Sequence, residues 1–125
     1  MPIRHAPARI RIKDLRLRTY IGFNDDEQRK RQDVVINVTV DYDAINAAHS
    51  DDVADALDYK ALTKRIIAHV EDGRFLLLEK LAHDLLAIAL EPPVVHRAEV
   101  EVDKPHALRF SDSVSLTMVA EREQD

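Results

Sequence analysis

The 125-residue sequence has no Cys, no Trp, only two Gly and just 5% aromatic residues. Without Cys the chain forms no disulfide, carries no thiolate nucleophile and builds no Cys-based zinc or iron–sulfur site. Only His, Asp and Glu are left as metal ligands. Positive charge is also in deficit: 18 Lys and Arg face 23 Asp and Glu, a net charge of −5. No global positive field recruits nucleic acid or an anionic membrane, so a polyanionic ligand must meet a local cluster of cations. Long apolar runs are missing as well. The longest, Phe75 to Leu78 and Leu85 to Leu90, are far too short to span a bilayer. Met1 to Arg11 alternates basic with apolar residues and lacks the apolar core of a signal peptide, so a cytoplasmic protein is expected.

With 46% hydrophobic and 33% charged residues, the chain reads as one domain over 1–125, its core at about 8–121. No repeat or Gly/Pro/Ser-rich linker divides it. Ile10, Ile12, Leu15, Leu17, Thr19 and Ile21 alternate with polar partners at period two, and the phase slips at Lys13-Asp14. This predicts a strand with a bulge. A second alternation follows in Val34, Ile36, Val38, Val40 and Tyr42. From Tyr59 the period becomes helical: Tyr59, Leu62, Ile66 and Val70, with Asp58 as N-cap and Gly73 as stop, then Leu78, Leu81, Leu85 and Ile88 up to Pro92-Pro93. Period two returns in Ala98 to Val102 and in Val114 to Ala120. The predicted class is α+β, ordered ββααββ, with two antiparallel helices on one face of a four-stranded antiparallel sheet. So small a domain with open sheet edges is expected to assemble side by side into a closed oligomer.

The six His residues include no H-x-H or H-E-x-x-H spacing, and no metal site is expected. Glu79 and His83 stand i, i+4 on a helix but lack a third ligand within sequence reach. Arg29-Lys30-Arg31 reads as a solvated loop. No Gly-rich phosphate loop or nucleophile elbow is present, which leaves nucleotide cofactors and serine hydrolysis unsupported. What remains is a set of polar residues at element ends. Glu27 follows the first strand, Tyr59 opens the first helix, Glu79 lies in the first turn of the second, and Lys104 follows the third strand just before Pro105.

Their contexts are Ile21-Gly22-x-x-x-x-Glu27, Ser50-Asp51-Asp52-Val53-Ala54-Asp55-Ala56-Leu57-Asp58-Tyr59, His69-Val70-Glu71-x-x-Arg74-Phe75-x-Leu77-Leu78-Glu79, and Asp103-Lys104-Pro105-His106-Ala107-Leu108-Arg109. On these motifs the sequence resembles the dihydroneopterin aldolase family from about Ile10 to about Ala120. The resemblance implies the tunnelling fold, in which ββααββ subunits join their sheets into barrels, commonly a homo-octamer of two stacked rings with active sites between neighbours. It implies a small-molecule pterin as partner and no bound cofactor. Glu79 matches the pterin anchor, with Leu78 and Leu57 as further substrate-binding residues, Leu57 offering backbone contacts to the pterin from the adjacent subunit. Lys104 and Tyr59 match acid/base groups, and Glu27 a supporting acid. The implied chemistry breaks the C1′–C2′ bond of the pterin side chain. Residues 10–22 and 103–115 favour the branch that re-forms the bond with inverted C2′, acting on 7,8-dihydroneopterin triphosphate. The competing readings are an aldolase that releases glycolaldehyde and 6-hydroxymethyl-dihydropterin, and a non-catalytic oligomeric pterin-binding protein. For the triphosphate Arg109 is the first candidate cation, with Arg31 and Arg74 behind it.

Overall fold

Fourteen residues, Ala8–Ile21, form strand β1, and their alternation is interrupted where the phase slip predicts a bulge. The register jumps between Ile12, opposite Val38, and Leu15, opposite Ile36, while Asp14 adopts φ 52° and its N–H donates to Asn37 Oδ1 at 2.8 Å. The computed structural model describes residues 2–123. After β1 come α1 (Asp25–Arg29), β2 (Gln32–Tyr42), α2 (Ile45–Ser50) and a 3-10 turn at Val53–Asp55. Then follow α3 (Tyr59–Glu71), β3 (Arg74–Phe75), α4 (Leu78–Ala89), β4 (Val95–Pro105) and β5 (Ser113–Glu121).

The sheet runs in the order β3-β1-β2-β4-β5. Antiparallel register places Ile36 opposite Val102 and Val38 opposite Val100, so Val34, Ile36, Val38, Val40, Ala98, Val100 and Val102 share one fully buried face. Leu62, Ile66 and Val70 of α3 and Leu81, Leu85 and Ile88 of α4 cover it, as their helical spacing requires. Each such side chain contributes about 1.5–3 kcal/mol on burial. Asp58 caps α3 by accepting from the Ala61 N–H at 2.9 Å. α4 begins after Leu77, which offers no side-chain cap.

The sheet departs from the four-stranded expectation by one short strand. β3 pairs in parallel with the end of β1, Tyr20 with Arg74 and Ile21 with Phe75, and a two-residue strand has no period to read. The polar stretches 24–33 and 43–52 also carry the short helices α1 and α2. Gly73 follows α3 as expected, and it has a packing reason: a Cβ there would lie 2.4 Å from Phe75 Cζ. Among the described residues no helix is long and apolar enough to cross a membrane.

Candidate active site

At the end of the sheet where β1 stops and β4 finishes, the ammonium of Lys104 forms an ion pair with Glu27 Oε2. Lys104 is only 9% exposed, unusual for a lysine and tolerable because its charge is paired. β4 delivers it; α1 delivers Glu27, whose N–H donates to the Asn24 side chain at 2.8 Å. Gln32, the first residue of β2, ties the acid down further by donating from Nε2 to Glu27 Oε2 at 3.2 Å and to the Ile21 carbonyl at 2.8 Å. Burial pushes the Glu27 carboxyl up, but hydrogen bonds from Lys104 and Gln32 and the Lys104 charge outweigh it, leaving the group below its ordinary value. The turn from β1 into α1 is made by Gly22 at φ 131°, whose N–H donates to the Phe75 carbonyl at 2.9 Å.

Beside this pair lies a hollow of about 200 Å³ lined by Tyr20, Gly22, Glu27, Gln28, Arg74, Phe75 and Leu76. Glu79 lies three residues beyond Leu76, exposed in the first turn of α4, with no hydrogen-bond or ion-pair partner among the described residues. The uncapped α4 N-terminus and Glu79 thus present N–H donors and a carboxylate at this end of the sheet. Leu78 is half-buried against the core.

Tyr59 and Leu57 are not brought to this end. Tyr59 opens α3 and is 52% exposed. The other end of α3 is the one near the pair, since the Val70 carbonyl accepts from Thr19 Oγ1 at 2.5 Å. The length of α3 separates them, roughly 18 Å at 1.5 Å per residue. Leu57 is buried and lines a different cavity of about 490 Å³ with Leu62, Ile88 and Pro92. Arg109 is exposed on the connection from β4 to β5, its guanidinium carbon 5.5 Å from the Phe110 ring centre. Reading the sequence missed Asn24, Gln32 and Tyr20. Asn24 and Gln32 flank Glu27 in a polar stretch, and a capping Asn three residues before an acid was the available signal. Among the described residues no group of three or more His, Asp or Glu could hold a metal ion.

Residues 10–119 match the family model described as dihydroneopterin aldolase. The chain belongs to the dihydroneopterin aldolase family. Within it, the chain is 58% identical over 113 residues to a protein of Escherichia coli strain K12 named dihydroneopterin triphosphate 2′-epimerase, covering 90% of this chain and 94% of that one. A protein of the same name from Pseudomonas aeruginosa is 53% identical over 115 residues, covering 92% and 94%. The crystal structure of E. coli dihydroneopterin aldolase in complex with neopterin superposes with a TM-score of 0.85 at 30% identity, covering 90% of this chain and 98% of that one. The dihydroneopterin aldolase family thus accounts for the α+β fold, and identity is nearly twice as high towards its epimerases as towards that aldolase.

Proposed function

We propose that this chain is an isomerase that inverts C2′ in the side chain of 7,8-dihydroneopterin triphosphate, giving dihydromonapterin triphosphate. The identity of 53–58% to proteins named for that reaction carries the reading, and the buried Lys104–Glu27 pair supports it by supplying a positioned proton-transfer unit. The 2′-hydroxyl loses its proton and becomes an aldehyde as the C1′–C2′ bond breaks. The bonding electrons pass to C1′ and into the N5=C6 imine, so the dihydropterin ring is the electron sink. The retained aldehyde turns its other face, C1′ attacks it, and the proton returns to O2′. Glu79 anchors the ring by accepting from the pterin 2-amino group and N3–H, a bidentate match for a carboxylate, with Leu78 beside it.

Tyr59 and Leu57 enter this reading from a neighbouring subunit, because α3 holds Tyr59 far from Lys104 within one chain. Among the described residues the outer edge of β1 is paired only at Tyr20 and Ile21, and β5 closes the other side of the sheet with its outer edge unpaired. Both edges suit side-by-side joining into rings and an octamer of two rings. A cytoplasmic setting belongs to the same reading.

The decisive experiment incubates the protein with dihydroneopterin and with its triphosphate, followed by chiral chromatography of the pterins and an aldehyde assay. Monapterin-configured product from the triphosphate is expected. Aldehyde and 6-hydroxymethyl-dihydropterin as the main products would make the chain an aldolase, and pterin binding without turnover would make it a non-catalytic binder.

A further inference from the structure

Tyr20, beside the reacting pair, carries two cations. The Arg74 guanidinium carbon lies 3.8 Å from the centre of its ring and that of Arg31 lies 5.6 Å away. A planar guanidinium on an aromatic face is held by cation–π attraction and is pre-organised, while its N–H fork stays available for bidentate contacts to anions. Arg74 spends one donor on the Gln28 carbonyl at 3.2 Å. Among the described residues neither Arg31 nor Arg74 forms an ion pair, in contrast to Arg9, Arg18, Arg65 and Arg97. Two exposed, unneutralised guanidiniums on one ring are a local reversal of the chain's negative charge. Arg74 and Tyr20 line the same hollow as Glu27, so Arg74 adjoins the place where the side chain reacts, and Arg31 joins it through the Tyr20 ring rather than by lining the hollow.

We propose that Arg31 and Arg74, braced by Tyr20, form the triphosphate clamp and that this clamp sets epimerisation against cleavage. The proposal rests on the function given above, because it assigns the tail of that substrate. The triphosphate is carried on C3′, and when C1′–C2′ breaks C3′ leaves with the aldehyde. A grip on the phosphates therefore retains the fragment that must be recaptured. If the fragment escapes, C1′ takes a proton instead and the products are 6-hydroxymethyl-dihydropterin and glycolaldehyde triphosphate. Arg109, exposed beside Phe110 on the β4–β5 connection, neither lines this hollow nor sits on the Tyr20 ring that borders it.

The test compares Arg31→Gln, Arg74→Gln, the double variant and Tyr20→Leu, with Arg74→Lys as the charge-retaining control and Arg109→Gln as comparator. Each is assayed on dihydroneopterin triphosphate and on dihydroneopterin, and inorganic tripolyphosphate binding is followed by calorimetry. Losing one bidentate, charge-assisted contact is expected to raise KM for the triphosphate about tenfold or more relative to any change for dihydroneopterin. The ratio of cleaved to epimerised product should rise in parallel, and tripolyphosphate should bind more weakly to the glutamine variants but less so to Arg74→Lys. Equal effects on both substrates, unchanged tripolyphosphate binding, or a larger loss at Arg109→Gln would overturn the clamp. Should the parent protein turn over neither substrate, the epimerase reading fails by itself. Tripolyphosphate binding then still decides whether the two arginines form an anion site.

Discussion

The carboxylate of Glu27 occupies the space that a side chain on residue 22 would need: a Cβ on Gly22 would lie 2.2 Å from Glu27 Cδ. Gly22 also sits at φ 131°, a conformation side chains resist. The spacing Gly22-x-x-x-x-Glu27 is therefore a device for folding the acid back over the end of β1, where it meets Lys104. Gly22→Ala should cost about 1–3 kcal/mol in backbone strain and also displace Glu27 from Lys104. Urea unfolding should show the loss of stability, and turnover at a temperature where the variant is still folded should fall with it. Full turnover in a folded variant would show that Glu27 need not stand where Gly22 lets it stand.

The two helical stripes and the strand alternations were legible because burial on one face imposes a period, and even the bulge at Lys13-Asp14 announced itself as a slip of phase. β3 was not legible, since Arg74 and Phe75 become a strand only by docking on Tyr20 and Ile21, more than fifty residues earlier. The site split along the same line. Glu27 and Lys104, which the structure joins, stood in motifs at element ends, as did Glu79 and Tyr59, whose part in the site is proposed. Gln32 and Tyr20 act through partners that no local pattern reveals: Gln32 bridges Glu27 and the Ile21 carbonyl, and Tyr20 gathers Arg31 from the α1–β2 connection and Arg74 from β3.

Glu79 is exposed at the start of α4 with no side-chain partner among the described residues, so its carboxylate stands free to accept at the positive end of the helix. Glu79→Gln keeps the shape but replaces one acceptor oxygen by a donor that faces the pterin's own donors. Pterin affinity measured by fluorescence titration should fall by roughly one to two decades, matching the ~1.5–3 kcal/mol of hydrogen bonds to a charged group. Fold and assembly should be unaffected. Unchanged affinity would remove Glu79 from the anchor position.

Acid should loosen the packing of α3 on α4 through Asp84. This residue accepts from His69 Nε2 at 2.8 Å and from Lys80 Nζ at 2.8 Å. Burial pushes its carboxyl up, but hydrogen bonds from Lys80 and His69 and their charges prevail, so the folded value lies below the ordinary one. A carboxyl depressed in this way stabilises the fold above its unfolded pKa of about 3.9, and the contribution disappears as pH falls through the folded value. Asp84→Asn should therefore be less stable than the parent at pH 7, and the gap in urea midpoint should close as pH is taken below about 4. A gap of constant size down to pH 3 would mean that the ionised carboxylate contributes nothing specific.

The separation of Tyr59 from Lys104 by the length of α3 makes the strongest demand on assembly. If both serve one reaction, they must come from different subunits, and each site in a ring joins the Lys104 end of one chain to the Tyr59 end of its neighbour. Lys104→Met should nearly abolish epimerisation while pterin still binds, since it removes a proton-transfer group and leaves the Glu79 anchor. Tyr59→Phe should be similarly impaired. Neither is active alone, yet rings reassembled from an equal mixture should regain activity, because some interfaces then pair an intact Lys104 with an intact Tyr59. Random mixing of two subunit types makes a quarter of such interfaces intact, so recovery towards about a quarter of parental turnover is expected if adjacent sites act independently. Mixed rings no more active than either parent would place the whole reaction within one chain, and Tyr59 would then have no part in it.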